Sequence, residues 1–283
     1  MESMKSIRFF ALIAISIGMA AAETAHGSVA ARRLIGALFD TQLAFEPAQA
    51  SSTPLSHTYA IAHFPYGGGW STRVLLANSG TTDATVDIAF FNQAGAATLV
   101  PLEGQPGLQG SQQLVIHPNE VQVVGAELNQ RTGGSLQVAW ATAASSAPLN
   151  IFSLFDSGTS ATTITGAVGA QSAAPAKTFR FPVSVGGPLN YNAGLAIANP
   201  NNTSTTFTVK VLNADGTTKG SFEENLPANG QTIFVLPSKI NFDASILFDG
   251  SVAVCASQPV GLVAVGFEGG ALFGTAVTND PCP

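Results

Sequence analysis

Leu154-Phe155-Asp156-Ser157-Gly158-Thr159-Ser160 is the stretch whose residue types come nearest to chemistry. Two apolar residues close a strand and an aspartate follows on a Ser/Gly turn. Such a carboxyl group can share a proton with a second one, because like charges a few ångströms apart cannot both ionise. The partner would be Glu268, since Phe155-Asp156-Ser157-Gly158 lies over Phe267-Glu268-Gly269-Gly270 in the second half of the chain. Asp156 and Glu268 would then be the dyad of an acid peptidase. The second half lacks the Asp-Ser-Gly signature, however, and a glutamate sets its carboxyl group one methylene further out. The plainer expectation is a polar turn after a buried strand in each half, with no catalytic residue and no enzyme.

The run Asp156-Ser157-Gly158-Thr159-Ser160 resembles the active-site turn of the pepsin-type aspartic peptidases, which implies an acid peptidase as one reading of the chain. Other chemistries find less. Among the histidines, His26, His57, His63 and His117, none stands at HxxxH or His/Cys spacing, so no metal site is expected. Asp83, Asp156 and Asp243 are too dispersed for a calcium cage. Ser111 and Ser135 follow glycines without forming a GxSxG elbow, and neither a P-loop nor a dinucleotide fingerprint is present. No cofactor is expected.

Binding is the more natural use. Tyr66 and Trp70 flank Gly67-Gly68-Gly69, and Asn190 with Tyr191 occupies the related loop of the second half, beside Asn192. Aromatic rings next to amide side chains stack on sugars or anchor a protein interface. Tyr66, Trp70, Asn190 and Tyr191 are therefore the candidate ligand-binding residues, with His63 able to line a small pocket beside the first two. The structural alternative is that Trp70 caps its own sandwich while the glycines make a turn.

The elements that would position these loops occur twice. Asn78 falls on Asn199, Thr85 on Thr206, Asn92 on Asn213 and Gly95 on Gly216, all at one offset. In each copy a strand ends at Ala-Asn, a polar turn follows, and a second strand alternates apolar with polar. Val86, Ile88 and Phe90 share a face in the first copy, as Phe207, Val209 and Val211 do in the second. A one-residue slip would turn the whole set toward water. Short strands are expected at 58–64, 71–78, 85–92, 112–116, 121–128, 135–141, 148–155 and 161–168, and again from 179 onward. Gly134-Ser135-Leu136-Gln137-Val138 lies over Gly250-Ser251-Val252-Ala253-Val254, and Pro118 with Gln122 over Pro227 with Gln231. Many short strands separated by Gly/Pro/Asn turns predict an all-β chain of two tandem antiparallel, Ig-like sandwiches. The first spans 58–169, the second 178–283, with a hinge at 170–177.

The Gly67-Gly68-Gly69-Trp70-Ser71-Thr72 run ending in Asn78, with the duplicated strand pair and the Pro227-Ala228-Asn229-Gly230-Gln231 turn, resembles the repeat units of duplicated β-sandwich proteins secreted by environmental bacteria. The resemblance covers most of the chain and implies a fold; it carries no activity and no functional residues.

The surroundings agree with export. Lys5 and Arg8 precede the apolar run 9–19 and then Ala20-Ala21-Ala22, which reads as a signal peptide over 1–22. The apolar run is short for a bilayer span. A leader follows over 23–57, in which Leu34, Ile35, Leu38 and Phe39 permit a short helix before a Pro/Ser/Ala linker. Only 10% of residues are charged and the net charge is −6, becoming one unit more negative when Lys5, Arg8 and Glu2 leave with the signal. Such a surface disfavours nucleic acid and anionic membranes. Cys255 and Cys282 can bridge in an oxidising compartment. The sequence thus predicts a secreted, cell-surface or periplasmic protein with a structural or adhesive role. It would bind a protein or a glycan through end loops, with a carbohydrate-binding module as the nearest alternative.

Overall fold

The computed structural model describes residues 54–127, 134–160, 163–172, 174–269 and 271–283. The signal peptide 1–22 and the leader to residue 53, including the helix anticipated there, lie outside the described residues. Alternating apolar and polar side chains produce strands almost throughout. The first half contains β1 (His57–Tyr66), β2 (Trp70–Ala77), β3 (Ala84–Phe91), the short β4 (Val100–Pro101) and β5 (Leu108–Gln109), β6 (Ser111–Ile116), β7 (Val121–Gly125), β8 (Gln137–Ser145), β9 (Asn150–Gly158) and β10 (Ile164–Ser172). The second contains β11 (Ala176–Val185), β12 (Asn192–Ala198), β13 (Thr205–Asn213), β14 (Thr218–Leu226), β15 (Gln231–Val235), β16 (Phe248–Glu268) and β17 (Ala271–Gly274). A single 3-10 turn, Leu236–Ser238, is the one helical element among the described residues. The chain is all-β, with antiparallel sheets packed as sandwiches.

In the first half, sheets of order β1-β8-β3-β6 and β10-β9-β2-β7 face each other. Ile61, Ile88 and Phe90 from one sheet and Val74, Leu76 and Ile151 from the other close a common core. In the second half β16 serves both sheets. Its first part pairs with β11 and β13, and its second part with β12 and β17. With β14 added beyond β13 and β15 beyond β12, the strand orders of the first half recur, and Phe181, Phe207, Val209, Leu195 and Ile197 fill the second core. The break that separates β8 from β9 around Pro148 is a continuous crossing at Pro259.

The pairing register corrects two sequence alignments here. Phe90 stands opposite Ala141 and Val211 opposite Val252, so Ala141 is the counterpart of Val252, whereas Gly134, Ser135 and Leu136 precede β8 altogether. Ala77 stands opposite Val121 and Ala198 opposite Gln231, so Gln122 does not match Gln231. Both turns leading in carry an asparagine of positive φ, Asn119 (61°) and Asn229 (53°). The hinge expected at 170–177 is mostly strand, since β10 runs to Ser172 and β11 begins at Ala176.

Residues 51–283 form one compact unit because a third core joins the halves. Ala62, Trp140, Phe155 and Val168 of the first half meet Ala196, Ala198 and Val263 of the second. Trp140 is fully buried, stacks on Phe91 with ring centroids 5.0 Å apart, and donates its indole N–H to the Asn229 carbonyl at 2.9 Å. The approach is close enough that a side chain at Gly261 would collide with the Ala60 methyl.

The residues identical in both halves prove to be turn fittings. Asn78 is buried, donates to the carbonyls of Thr82 (2.8 Å) and Ile116 (2.9 Å), and accepts from the Gly80 N–H. Asn199 does the same with Thr203 (2.8 Å), Pro227 (2.8 Å) and the Asn201 N–H. Replacing either by Ala removes three hydrogen bonds that hold the turn to the neighbouring strand ends. We expect each of Asn78→Ala and Asn199→Ala to destabilise the chain by about 2–3 kcal/mol, read from the shift of the urea unfolding midpoint. Equal loss in both variants is the expected result.

Candidate functional site

The two sheets of the second sandwich part along one side, between β11 and β17. There the chain leaves β17 and crosses back toward β11. The gap is a cleft of about 400 Å³, within the range of small-ligand sites. Ser184 and Asp249 line it from one sheet, Asn192, Gly266 and Phe273 from the other, and Thr275 from the crossing segment. Each is placed by register. Ser184 stands opposite Asp249 and donates its hydroxyl to that carboxylate at 2.6 Å. Gly266 stands opposite Phe273, and the ring lies directly over the glycine, where any Cβ would come within 2.0 Å of it. Phe273 remains 39% exposed, so the ring is held without being buried.

The turn that leads into β12, whose first residue Asn192 lines the cleft, carries two of the predicted ligand-binding residues. Gly186 and Tyr191 exchange backbone hydrogen bonds at 2.8 and 3.0 Å around exposed Asn190, itself at positive φ. A side chain at Gly186 would strike the Ile246 carbonyl at 2.6 Å, which is why glycine stands there. Tyr191 hydrogen-bonds to Glu268. That bond, then partial desolvation, then the charges of Glu268 and Asp249 raise the phenol above its ordinary pKa. The arrangement offers hydroxyls, an amide, carboxylates and an exposed ring, a set that hydrogen-bonds and stacks.

The other predicted residues go elsewhere. Gly67, Gly68 and Gly69 all take positive φ (70°, 56° and 94°), and Gly68 packs against the Leu136 backbone. Trp70 is half-buried against the third core and Tyr66 half-buried against the first. Asp156 is buried at 1% exposure and ion-paired with Arg73 at 3.4 Å. Ser71 stands opposite Asp156 while its counterpart Asn192 stands opposite Phe267, so the position matching Asp156 is Phe267 and not Glu268. A slip of one residue along a strand reverses the face. The duplication therefore does not pair the two carboxyl groups, and Glu268 is engaged by Tyr191 instead.

Cys255 and Cys282 form a disulfide with Cα atoms 5.9 Å apart. Among the described residues, no group of three or more His, Cys, Asp or Glu is placed to hold a metal ion, and no helix is long and apolar enough to cross a membrane. Sequence reasoning missed Ser184, Asp249, Phe273 and Thr275, which lie far apart in the chain and share no motif. No protein-family model, curated protein or solved structure matches the chain, so its functional reading comes from the site itself.

One titratable group reports on the fold rather than on a ligand. β1 bulges between Ile61 and Phe64, and His63 there turns its ring edge-on to Phe155, centroids 5.3 Å apart. Its Nδ1 is enclosed with no hydrogen-bond partner among the described residues, and burial lowers its pKa from 6.5 to about 4. The unfolded chain takes up this proton below pH 6.5, whereas the folded chain takes it up only near pH 4. His63 thus contributes full stability above pH 6.5 and loses it as pH falls toward 4, by up to about 3 kcal/mol. We expect His63→Gln to remove this part of the pH dependence of the urea midpoint. An unchanged slope across that window would contradict the assignment.

Proposed function

We propose that this chain is a non-catalytic, secreted or cell-surface protein with a structural or adhesive role, binding a protein or a glycan through the end turns of its second sandwich. The observation that carries the reading is the cleft beside Tyr191, where Asp249, Asn192 and Phe273 converge on an otherwise strand-covered surface. The disulfide supports an oxidising compartment, and the low charged fraction of 10% suits an exported β-protein. Carbohydrate binding is favoured as the nearest alternative description by the exposed Phe273 ring. The acid peptidase is the second alternative; the burial of Asp156 at 1% exposure and its ion pair with Arg73 weigh against it.

The test is retention of the purified protein on insoluble cellulose, chitin and xylan and on collagen- and fibrinogen-coated surfaces. We expect at least one of these to retain it, with Tyr191→Ala and Asp249→Ala each weakening retention by about tenfold or more. Denatured casein should remain intact at acid pH. Casein cleavage that disappears in Asp156→Asn would overturn the reading in favour of the peptidase.

A further inference from the structure

We infer that the cleft between β11 and β17 is a site for a neutral glycan, with Phe273 as its stacking platform and its outer wall carried on the disulfide-anchored C-terminal tail. The inference rests on the proposed binding role and deepens it. The platform comes first. Gly266 lets the Phe273 ring lie flat on the sheet, and at 39% exposure the ring still offers surface to the cleft it lines. A flat, fixed aromatic face suits the C–H face of a sugar ring. Around it stand polar groups of the kinds that hydroxyl-rich ligands use. Asp249 gives one lone pair to Ser184 and, as a carboxylate, keeps about three more sites. Asn192 holds the Ala193 N–H with its own oxygen at 2.8 Å, which aligns its amide at the mouth of β12. Asp249 and nearby Glu268 make the site acidic, so uronic, sulfated and phosphorylated chains are disfavoured and neutral ones remain.

Phe273 is held on β17 by its pairing with β16, whereas the outer wall, from Thr275 onward, belongs to a segment with few anchors. Thr275 donates to the Pro182 carbonyl at 3.3 Å, Thr278 pairs with Arg180 in both directions at 2.8 and 2.9 Å, and the Lys210 ammonium reaches the Pro283 oxygen at 2.7 Å. The covalent anchor is Cys282, tied to Cys255 on β16. Because ligand and tail share one wall, the bridge that orders the tail also pre-organises the site.

The test screens the full oxidised chain against an array of neutral oligosaccharides (glucans, xylans, mannans, galactans and chitin fragments) with acidic glycans alongside, followed by calorimetric titration of the best neutral probe. We expect a neutral sugar to bind, Phe273→Ala and Asp249→Asn each to weaken it about tenfold or more, Phe273→Tyr to retain it, and Cys282→Ser to weaken it several-fold. Phe152→Ala, which removes an exposed ring of the first half, should change nothing. Urea midpoints of the variants separate lost binding from lost folding, and Asp249→Asn leaves the packing intact. Binding that survives both Phe273→Ala and Asp249→Asn would overturn the site while leaving the adhesive role standing. Preference for acidic glycans, or retention on the protein-coated surfaces with no sugar bound, would overturn the ligand class alone. Failure on every sugar and every protein surface would overturn both.

Discussion

An antiparallel sandwich has two sides where its sheets end, and the apolar residues and unpaired backbone exposed there need cover. This chain meets that constraint differently in its two halves, and most of its structure follows from the difference. Along the β1/β10 side of the first sandwich lies the second sandwich, sealed around Trp140 in the third core. Three polar contacts fix the fit: the Trp140 indole donates to the Asn229 carbonyl, the Gln231 side-chain amide to the Ala62 carbonyl, and the Gln231 backbone N–H to the Gln93 carbonyl. Among the described residues no further domain packs on the second sandwich. Its open side is crossed by the C-terminal segment, pinned at Thr278 and Cys282. A thin strap covers a side less completely than a packed domain does. The cleft is the part left uncovered.

Function is expected where cover is incomplete. The first half holds more striking aromatic residues in its glycine loop, but Trp70 and Tyr66 are drawn into cores, and Trp140 is fully buried. The second half keeps Tyr191 and Phe273 at the surface beside carboxylates. The same strand order therefore draws its loop aromatics into cores in one half and keeps rings at the surface in the other. The difference comes from what packs on each.

Much of the fold was legible in the residues. Strand alternation at Val86, Ile88 and Phe90 and at Phe207, Val209 and Val211 foretold the inward faces, and each of these six side chains is buried. The pairs Asn78/Asn199 and Gly95/Gly216 were readable as punctuation, because short-range turn chemistry leaves a local trace. Register was less legible. The alignment of Asp156 with Glu268 was off by one position, and that of Gly134 with Gly250 by more, because neither strand carries a residue that pins its pairing partner. β16 hides further by crossing between sheets at Pro259 without a turn signal. The cleft was illegible except for Asn192, which the sequence set beside Asn190 and Tyr191. Ser184 with Asp249, Asn192, and Phe273 meet through three separate pairings of β16, an outcome of topology that no local spacing records.

The account's central claim is that the third core makes the two sandwiches one folding unit. Native-state hydrogen exchange of the wild type and of Trp140→Ala tests it most directly, since each strand reports its own opening free energy. Burial of this kind is worth about 3–5 kcal/mol for a tryptophan. The account predicts that amides of β3 in the first half and of β13 in the second lose protection together and by the same amount. Loss confined to the first half, with β13 unchanged, would show two independent sandwiches and contradict it.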